Sequence, residues 1–270
     1  MKADLHIHTT ISDGSDTIGE IISLAKEKEL DAIVITDHDT IAHFQQIPAV
    51  PEIYIGCGIE ISSIHSKTNT RAHVLGYRIQ NPDSLAELTQ PLLEERDKNS
   101  RKQVAVLKGH GYDIDTDKLK KADGKYLYKQ HIMDWLVTTG QAPDMFGEFY
   151  QRIFKNSGIC DFDIKYIDAI EAVKAIKEAG GLAVLAHPGQ QQNYRLIAEL
   201  VEAGLDGIEL NHHTHSVRDR DIVREFASRF GLFMTGGSDY HGIYEPQPFS
   251  VGDLLADNSG AEIICNGATI

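Results

Sequence analysis

Seven short apolar runs, each carrying His, Asp or Glu at or near its end, constrain this chain more than any other feature. In order they read ADLHIH, AIVITDHD, EIYIGCGIEIS, RAHVLGYRI, GLAVLAHPG, GLDGIELNHH and GLFMTGGSDYH. Helical patterns stand between several of them: TIGEIISLAKEKELD, DAIEAVKAIKEAG, YRLIAELVEAG and RDIVREFASRFG. The first of these opens on Thr17 with Glu20 three residues on, a capping-box pair, and spaces Ile21, Leu24, Ala25 and Lys28 for one helix. Repeated βα units imply a parallel sheet, open or closed into a barrel. In such folds ligands bind beyond the carboxyl ends of the strands, where the polar residues of these runs fall.

Successive side chains of a strand point to opposite faces, so Ala3, Leu5 and Ile7 are expected on one face and Asp4, His6 and His8 on the other. Two imidazoles at i and i+2 aim at one point, and the Asp13-Gly14-Ser15 turn swings a carboxylate back toward them. The strand-end groups are His6, His8, Asp13, His38, Glu60, His73, His187, Asp239 and His241. His and carboxylate are the ligands that Zn²⁺, Mn²⁺ and Fe²⁺ accept. Nine donors exceed the shell of one ion and suit two or three, with Glu60 or a hydroxide between neighbours. Metal-bound hydroxide near neutral pH is the nucleophile such a site generates.

From about Asn81 to Asp163 the rhythm breaks. LAELTQPLLEERDKNSRKQVAVLKGHG and KQHIMDWLVTTG look helical, with turns at DID, DTDKL and ADG. The expected organisation is a barrel domain of residues 1–80 and 164–270 with an inserted helical cap of residues 81–163. The net charge of −14 opposes a long nucleic acid or a membrane surface as partner. No apolar run approaches the roughly 20 residues of a membrane span. Cys57, Cys160 and Cys265 are odd in number and widely spaced, which with the lack of a signal-peptide pattern makes the cytoplasm the expected location.

Taken in order, DLHIHTTISDG, TDHD, GIEIS, AHVLGY, AHPG and SDYH resemble the motifs of the PHP (polymerase and histidinol phosphatase) superfamily, in particular its small stand-alone phosphoesterases. The resemblance runs to about His241 and implies a distorted (β/α)7 barrel with a trinuclear metal centre. It implies one ion held by His6, His8, Glu60 and Asp239, a second sharing Glu60 and adding His73 and His187, and a third on Asp13, His38 and His241. Many members carry His where Asp13 stands, a change of ligand hardness. Asp4 and Asp37 are expected to support imidazoles from behind. Related chains often hold phosphate with a Gly-Arg-Pro-His run in the cap; here YKQHIMDWL keeps His131 and offers Lys129 in place of Arg. Lysine is a point charge without the bidentate fork, so the substrate is expected to differ.

The reading is a metal-dependent phosphoesterase that hydrolyses a small phosphate monoester, such as a nucleotide or nucleoside bisphosphate. Asp239 is expected to be essential to turnover, and His215 in NHHTHS to contact the phosphate or assist the leaving group. Rivals are a 5′-3′ exonuclease on short oligonucleotides, a carbon–nitrogen hydrolase, and a non-catalytic metal-binding or interaction module. At most one of the adjacent His212 and His213 is expected to face the site, and His43, His65 and His110 read as surface residues. Gly236-Gly237 reads as a close backbone approach near the site.

Overall fold

The computed structural model describes residues 1–119, 126–244 and 249–267; the turn expected at ADG lies outside them. β1 (Ala3–Ile7) pairs parallel with β2 (Ala32–Ile35), and β2 with β3 (Tyr54–Cys57). α1 (Ile18–Glu27) makes the crossover between the first two strands. Its capping box closes in both directions: Thr17 Oγ1 accepts from the Glu20 N–H, and Glu20 Oε2 accepts from the Thr17 N–H at 2.8 Å.

A second sheet contains β4 (Ile59–His65), β5 (Thr70–Tyr77), β6 (Ile167–Asp168), β7 (Leu182–Leu185), β8 (Gly207–Asn211) and β9 (Phe233–Gly236), in the order β6-β4-β5-β7-β8-β9. Here the expectation of a parallel sheet is corrected. β5 runs antiparallel to both β4 and β7, because the few residues joining β4 to β5 allow a hairpin and not a crossover. The reversed β5 places His73, its fourth residue, opposite Ser62 of β4 and beside the end of β7, where the Ala186 N–H donates to the His73 carbonyl. The run EIYIGCGIEIS is two strands, not one. It breaks at Gly58, where a Cβ would lie 2.8 Å from the Gly76 carbonyl oxygen.

Two isolated parallel bridges join strand ends of the first sheet to the second: Ile7 of β1 with Tyr240 just past β9, and His38 just past β2 with Glu60 of β4. Ala3 and Leu5 pack with Val34, Leu75, Val184 and Phe233, a cluster drawn from both sheets. Ile7 instead packs with Ile21, Ile22 and Ala25 of α1, because the β1–β2 register shifts between Asp4 and Ile7. The shared face expected for Ala3, Leu5 and Ile7 therefore ends one residue pair early.

Between β5 and β6 lie α2 (Pro82–Gly109), α3 (Lys129–Thr138) and α4 (Glu148–Phe154). These helices share an apolar cluster taken wholly from residues 104–160, including Leu107, Ile132, Leu136 and Phe154. α5 (Ala169–Glu178), α6 (Pro188–Gln191), α7 (Ile197–Glu202), α8 (Val217–Phe230) and α9 (Asn258–Asn266) complete the chain. α5, α7 and α8 cover the second sheet through Val173, Ile176, Leu200 and Val223. Among the described residues no helix is long and apolar enough to cross a membrane.

Candidate metal centre

β1 ends with His6 and His8 buried, and both Nε2 atoms meet the same two carboxylate oxygens. His6 Nε2 lies 3.2 Å from Glu60 Oε2 and 3.1 Å from Asp239 Oδ1; His8 Nε2 lies 3.1 Å from each. None of these four atoms makes a hydrogen bond within the described residues. Donors about 3 Å apart without hydrogen-bond geometry match the spacing that a coordination shell with bonds of about 2.0–2.2 Å would have.

Glu60 is the hub. Its Oε1 meets His187 Nε2 at 2.9 Å and His73 Nδ1 at 3.0 Å, and its Oε2 lies 3.3 Å from His38 Nδ1. A further group gathers His8, Asp13, His38 and His241, with His241 Nε2 3.5 Å from Asp13 Oδ1. All nine strand-end residues thus come together. The grouping differs from the implied one, since His8 falls within reach of two clusters and His38 of two. Buried and without hydrogen bonds among the described residues are His6 Nε2, both nitrogens of His8, Asp13 Oδ1, Glu60 Oε2, His187 Nδ1 and Asp239 Oδ1. So many unsatisfied buried polar atoms would each cost stability without a cation. The donor set therefore fits divalent ions.

The electrostatics agree. Burial pushes the carboxyls of Glu60 and Asp239 upward, but the surrounding imidazoles outweigh it and hold both well below the usual carboxylate range. Burial likewise pushes His6 down, and Asp239, Glu209 and Glu60 lift it well above its ordinary value. His38 is pushed down to about 4 by burial and the neighbouring His8 and His73. Backbone strain collects here too: His187 has φ 25° and Asp239 φ 52°, left-handed values rare outside glycine. At Gly237 a Cβ would lie 2.5 Å from the His6 nitrogen, so only glycine lets that backbone approach β1.

Several supporting residues depart from expectation. Among the described residues Asp4 bonds to no imidazole ring: its oxygens accept from the Ser238 and Gly252 N–H groups, the Ser238 hydroxyl and the His6 backbone, and burial raises its pKa to about 6. Glu209 does what Asp4 was expected to do, with Oε1 3.0 Å from His6 Nδ1. Its only sequence signal is a carboxylate between the apolar Ile208 and Leu210 of a strand. Asp37 supports the imidazole of His43, whose Nδ1 lies 3.2 Å from its Oδ2, and not that of His38; it also accepts from the Thr9 backbone and hydroxyl and from the Ser12 hydroxyl, tying down the turn that carries Asp13.

His215 is corrected as well. Its Nδ1 faces the Leu210 carbonyl at 2.9 Å and its Nε2 accepts from the Gly189 N–H at 3.0 Å, so both nitrogens serve the backbone. His131 is buried with Nδ1 accepting from the Tyr128 N–H at the start of α3, packed against the rings of Tyr128 and Tyr244. Its neighbour Gln130, passed over in the sequence, is what α3 sends into the site: its amide donates to Asp13 Oδ2 at 2.7 Å. His212 and His213 both reach Asp239, against the expectation of one, with His212 Nε2 3.1 Å from Asp239 Oδ2. His43 and His65 are buried, bonded to the Gly58 carbonyl and to Thr68; His110 is exposed. A cavity of about 330 Å³ opens over the cluster, lined by Glu60, His187, Asp239, His213, Phe146 and Tyr244 among others.

A family model described as the PHP domain matches residues 4–186. The chain belongs to the PHP family. A curated relative, the phosphoribosyl 1,2-cyclic phosphate 1,2-diphosphodiesterase of Eggerthella lenta, is 39% identical over 254 residues, covering 92% of this PHP chain and 97% of the relative. The 5′-3′ exoribonuclease Rnm of Salmonella typhimurium is 29% identical over 257 residues, 88% of this chain and 84% of the relative. Among solved structures, a protein from Bifidobacterium adolescentis assigned as a metal-dependent phosphoesterase superposes with a TM-score of 0.88 at 24% identity, covering 99% of this chain and 96% of that one. That likeness carries the α/β fold of mixed sheets.

Proposed function

We propose that this metal-dependent phosphoesterase of the PHP family hydrolyses small phosphate esters of ribose, on a phosphorylated sugar or a nucleotide. The observation that carries the reading is the convergence of His6, His8, Glu60 and Asp239 donor atoms without hydrogen-bond geometry. The named substrate of the Eggerthella lenta relative, a phosphoribosyl cyclic phosphate, supports the ribose-phosphate class.

In this reading two to three ions, of Mn²⁺, Zn²⁺ or Fe²⁺ type, are held by His6, His8, Asp13, His38, Glu60, His73, His187, Asp239 and His241. Such ions supply charge neutralisation for phosphate oxygens and a water acidic enough to attack phosphorus near neutral pH. The chain's own work is orientation. Glu209 accepts from His6 Nδ1–H and so directs the Nε2 lone pair inward. Gln130 fixes Asp13 from the cap side. His213, which lines the cavity, takes the role first given to His215: its Nδ1 lies 3.4 Å from the Ser238 carbonyl, leaving Nε2 to exchange a proton with the departing ester oxygen. The two bridges between the sheets support closure into a distorted (β/α)7 barrel, and the private apolar cluster of residues 104–160 supports residues 81–163 as a cap. The three free cysteines support a reducing, cytoplasmic setting.

The exoribonuclease relative favours a second reading, removal of nucleotides from short 5′ ends. One panel separates the two: phosphate release from ribose cyclic phosphates and nucleotides, beside mononucleotide release from short RNA, by enzyme stripped and reloaded with Mn²⁺. Turnover confined to small esters supports the proposal. Faster turnover of RNA overturns it in favour of the exonuclease, and turnover of neither overturns both.

A further inference from the structure

His43 stands in the short turn Ala42–Gln45 that follows β2, and it is fully buried. Its ring meets an acceptor at each nitrogen. Nε2 lies 2.9 Å from the Gly58 carbonyl oxygen, and Nδ1 lies 3.2 Å from Asp37 Oδ2. A carbonyl oxygen only accepts, so Nε2 carries a hydrogen. Asp37 is ionised: burial pushes its carboxyl upward, and His43, Ser12 and Thr9 outweigh that and hold it below the usual carboxylate range. A bare Nδ1 lone pair turned toward that oxygen would be repelled, so Nδ1 carries a hydrogen as well. His43 is thus an imidazolium paired with a carboxylate in the interior.

The two partners lead to different parts of the cluster. Asp37 Oδ1 accepts from the Thr9 N–H at 2.8 Å and the Ser12 hydroxyl at 2.6 Å, and Oδ2 from the Thr9 hydroxyl at 2.8 Å. Thr9 follows His8 and Ser12 precedes Asp13, so this carboxylate holds the turn between them. Gly58, at the other nitrogen, is the break between β3 and β4, two residues before Glu60. β2 belongs to the first sheet and β4 to the second, so His43 is a side-chain tie between sheets, beside the backbone bridge of His38 with Glu60. A buried ion pair is a poor source of stability, because desolvating two charges offsets most of their attraction. Its best-attested use is to fix one arrangement over others. The arrangement fixed here is the distance from Glu60 to the turn that carries Asp13.

We propose that His43 is a positioning residue of the metal centre: by tying Asp37 to Gly58 it sets the separation between Glu60 and the group of His8, Asp13, His38 and His241, and with it whether ions at the two places act together. The proposal rests on the metal-dependent phosphoesterase reading of the cluster. Both ring nitrogens of His43 are taken by Asp37 and Gly58, so it holds no ion itself and acts through the segments it joins. The two places already meet closely, with Glu60 Oε2 3.3 Å from His38 Nδ1. Small errors there are expensive: a misplacement of about 1 Å can cost on the order of 10²-fold in rate.

The test loads wild type, His43→Gln, His43→Leu and a control, Val173→Ala, with Mn²⁺. Val173 is buried on α5, and truncating it lowers stability without touching either tie. Mn²⁺ per chain, the electron paramagnetic resonance spectrum, kcat and KM on a ribose cyclic phosphate, and the urea midpoint are read on the same samples. Wild type and Val173→Ala are expected to show the signal of spin-coupled Mn²⁺ ions. Each His43 variant is expected to hold at least one ion fewer, or to replace that signal with the simple pattern of isolated Mn²⁺. Its kcat falls by about 10–100-fold with KM little changed. His43→Gln keeps an N–H for Gly58 and decides the matter if His43→Leu does not fold. A lower urea midpoint with the full ion count and an unaltered coupled signal, the behaviour of the control, would overturn the proposal. So would a wild type without a coupled signal, or the failure of both His43 variants to fold. Ion count and spectrum need no substrate: if no phosphate ester is hydrolysed the phosphoesterase reading fails, and these two readouts still decide the role of His43.

Discussion

Glu209 holds His6 and His187 at once: its Oε1 lies 3.0 Å from His6 Nδ1, and its Oε2 accepts from the His187 backbone N–H at 2.7 Å. One buried carboxylate on β8 therefore sets the tautomer of an imidazole on β1 and the position of a strained residue beyond β7. Glu209 itself is kept below the usual carboxylate range: burial opposes this, and His6, His212 and His187 overcome it.

Glu209→Gln keeps the shape and loses the charge. We expect Mn²⁺ affinity and kcat/KM to fall by about 10–100-fold, the usual cost of removing a carboxylate behind a ligating imidazole. Calorimetric Mn²⁺ titration beside steady-state kinetics checks this, and a variant with wild-type affinity would remove Glu209 from the account.

His215 makes the opposite prediction. With both nitrogens bonded to backbone at Leu210 and Gly189, His215→Ala should cost about 1–3 kcal/mol of stability, from two buried groups left without partners. The effect on kcat should stay below roughly tenfold, since no proton transfer is assigned to it. Urea unfolding and kinetics on the same preparation separate the two roles. A stable variant with kcat down by orders of magnitude would restore His215 to the chemistry.

Most of the strand-end cluster was legible in the sequence, because a period-two strand fixes which residues share a face and a βα rhythm fixes which end they occupy. Glu60 and His187 follow from that logic. His73 followed only by chance, since it lies mid-strand on an antiparallel β5 and comes level with the end of β7 alone. Glu209 and Gln130 were not legible. Each depends on which distant elements meet, and spacing along one strand or helix carries no information about that. His215 misled for the same reason: proximity in sequence to the sixth run does not say whether a ring nitrogen faces substrate or backbone.

Asp163 gives a pH dependence away from the cluster. Burial alone would raise its pKa, but Lys129 and Arg71 bring it down to about 2 from an ordinary 3.8. A depressed carboxyl contributes stability that is present above its unfolded pKa and lost as pH falls through its folded one. The advantage of wild type over Asp163→Asn should thus be constant from about pH 7 to 5 and shrink below about pH 4. Urea midpoints taken across that range test it; an advantage that grows on acidification would contradict the pairing.

Whether Glu60 joins neighbouring cations is read most directly from metal ions per chain in wild type and Glu60→Gln, by elemental analysis after Mn²⁺ loading, with kcat and the far-ultraviolet circular dichroism spectrum on the same samples. Two to three ions are expected in wild type. In the variant at least one ion fewer is expected, with a loss of kcat on the order of a thousandfold and an unchanged spectrum. A folded Glu60→Gln enzyme with full metal content and undiminished kcat would contradict the joining role of Glu60.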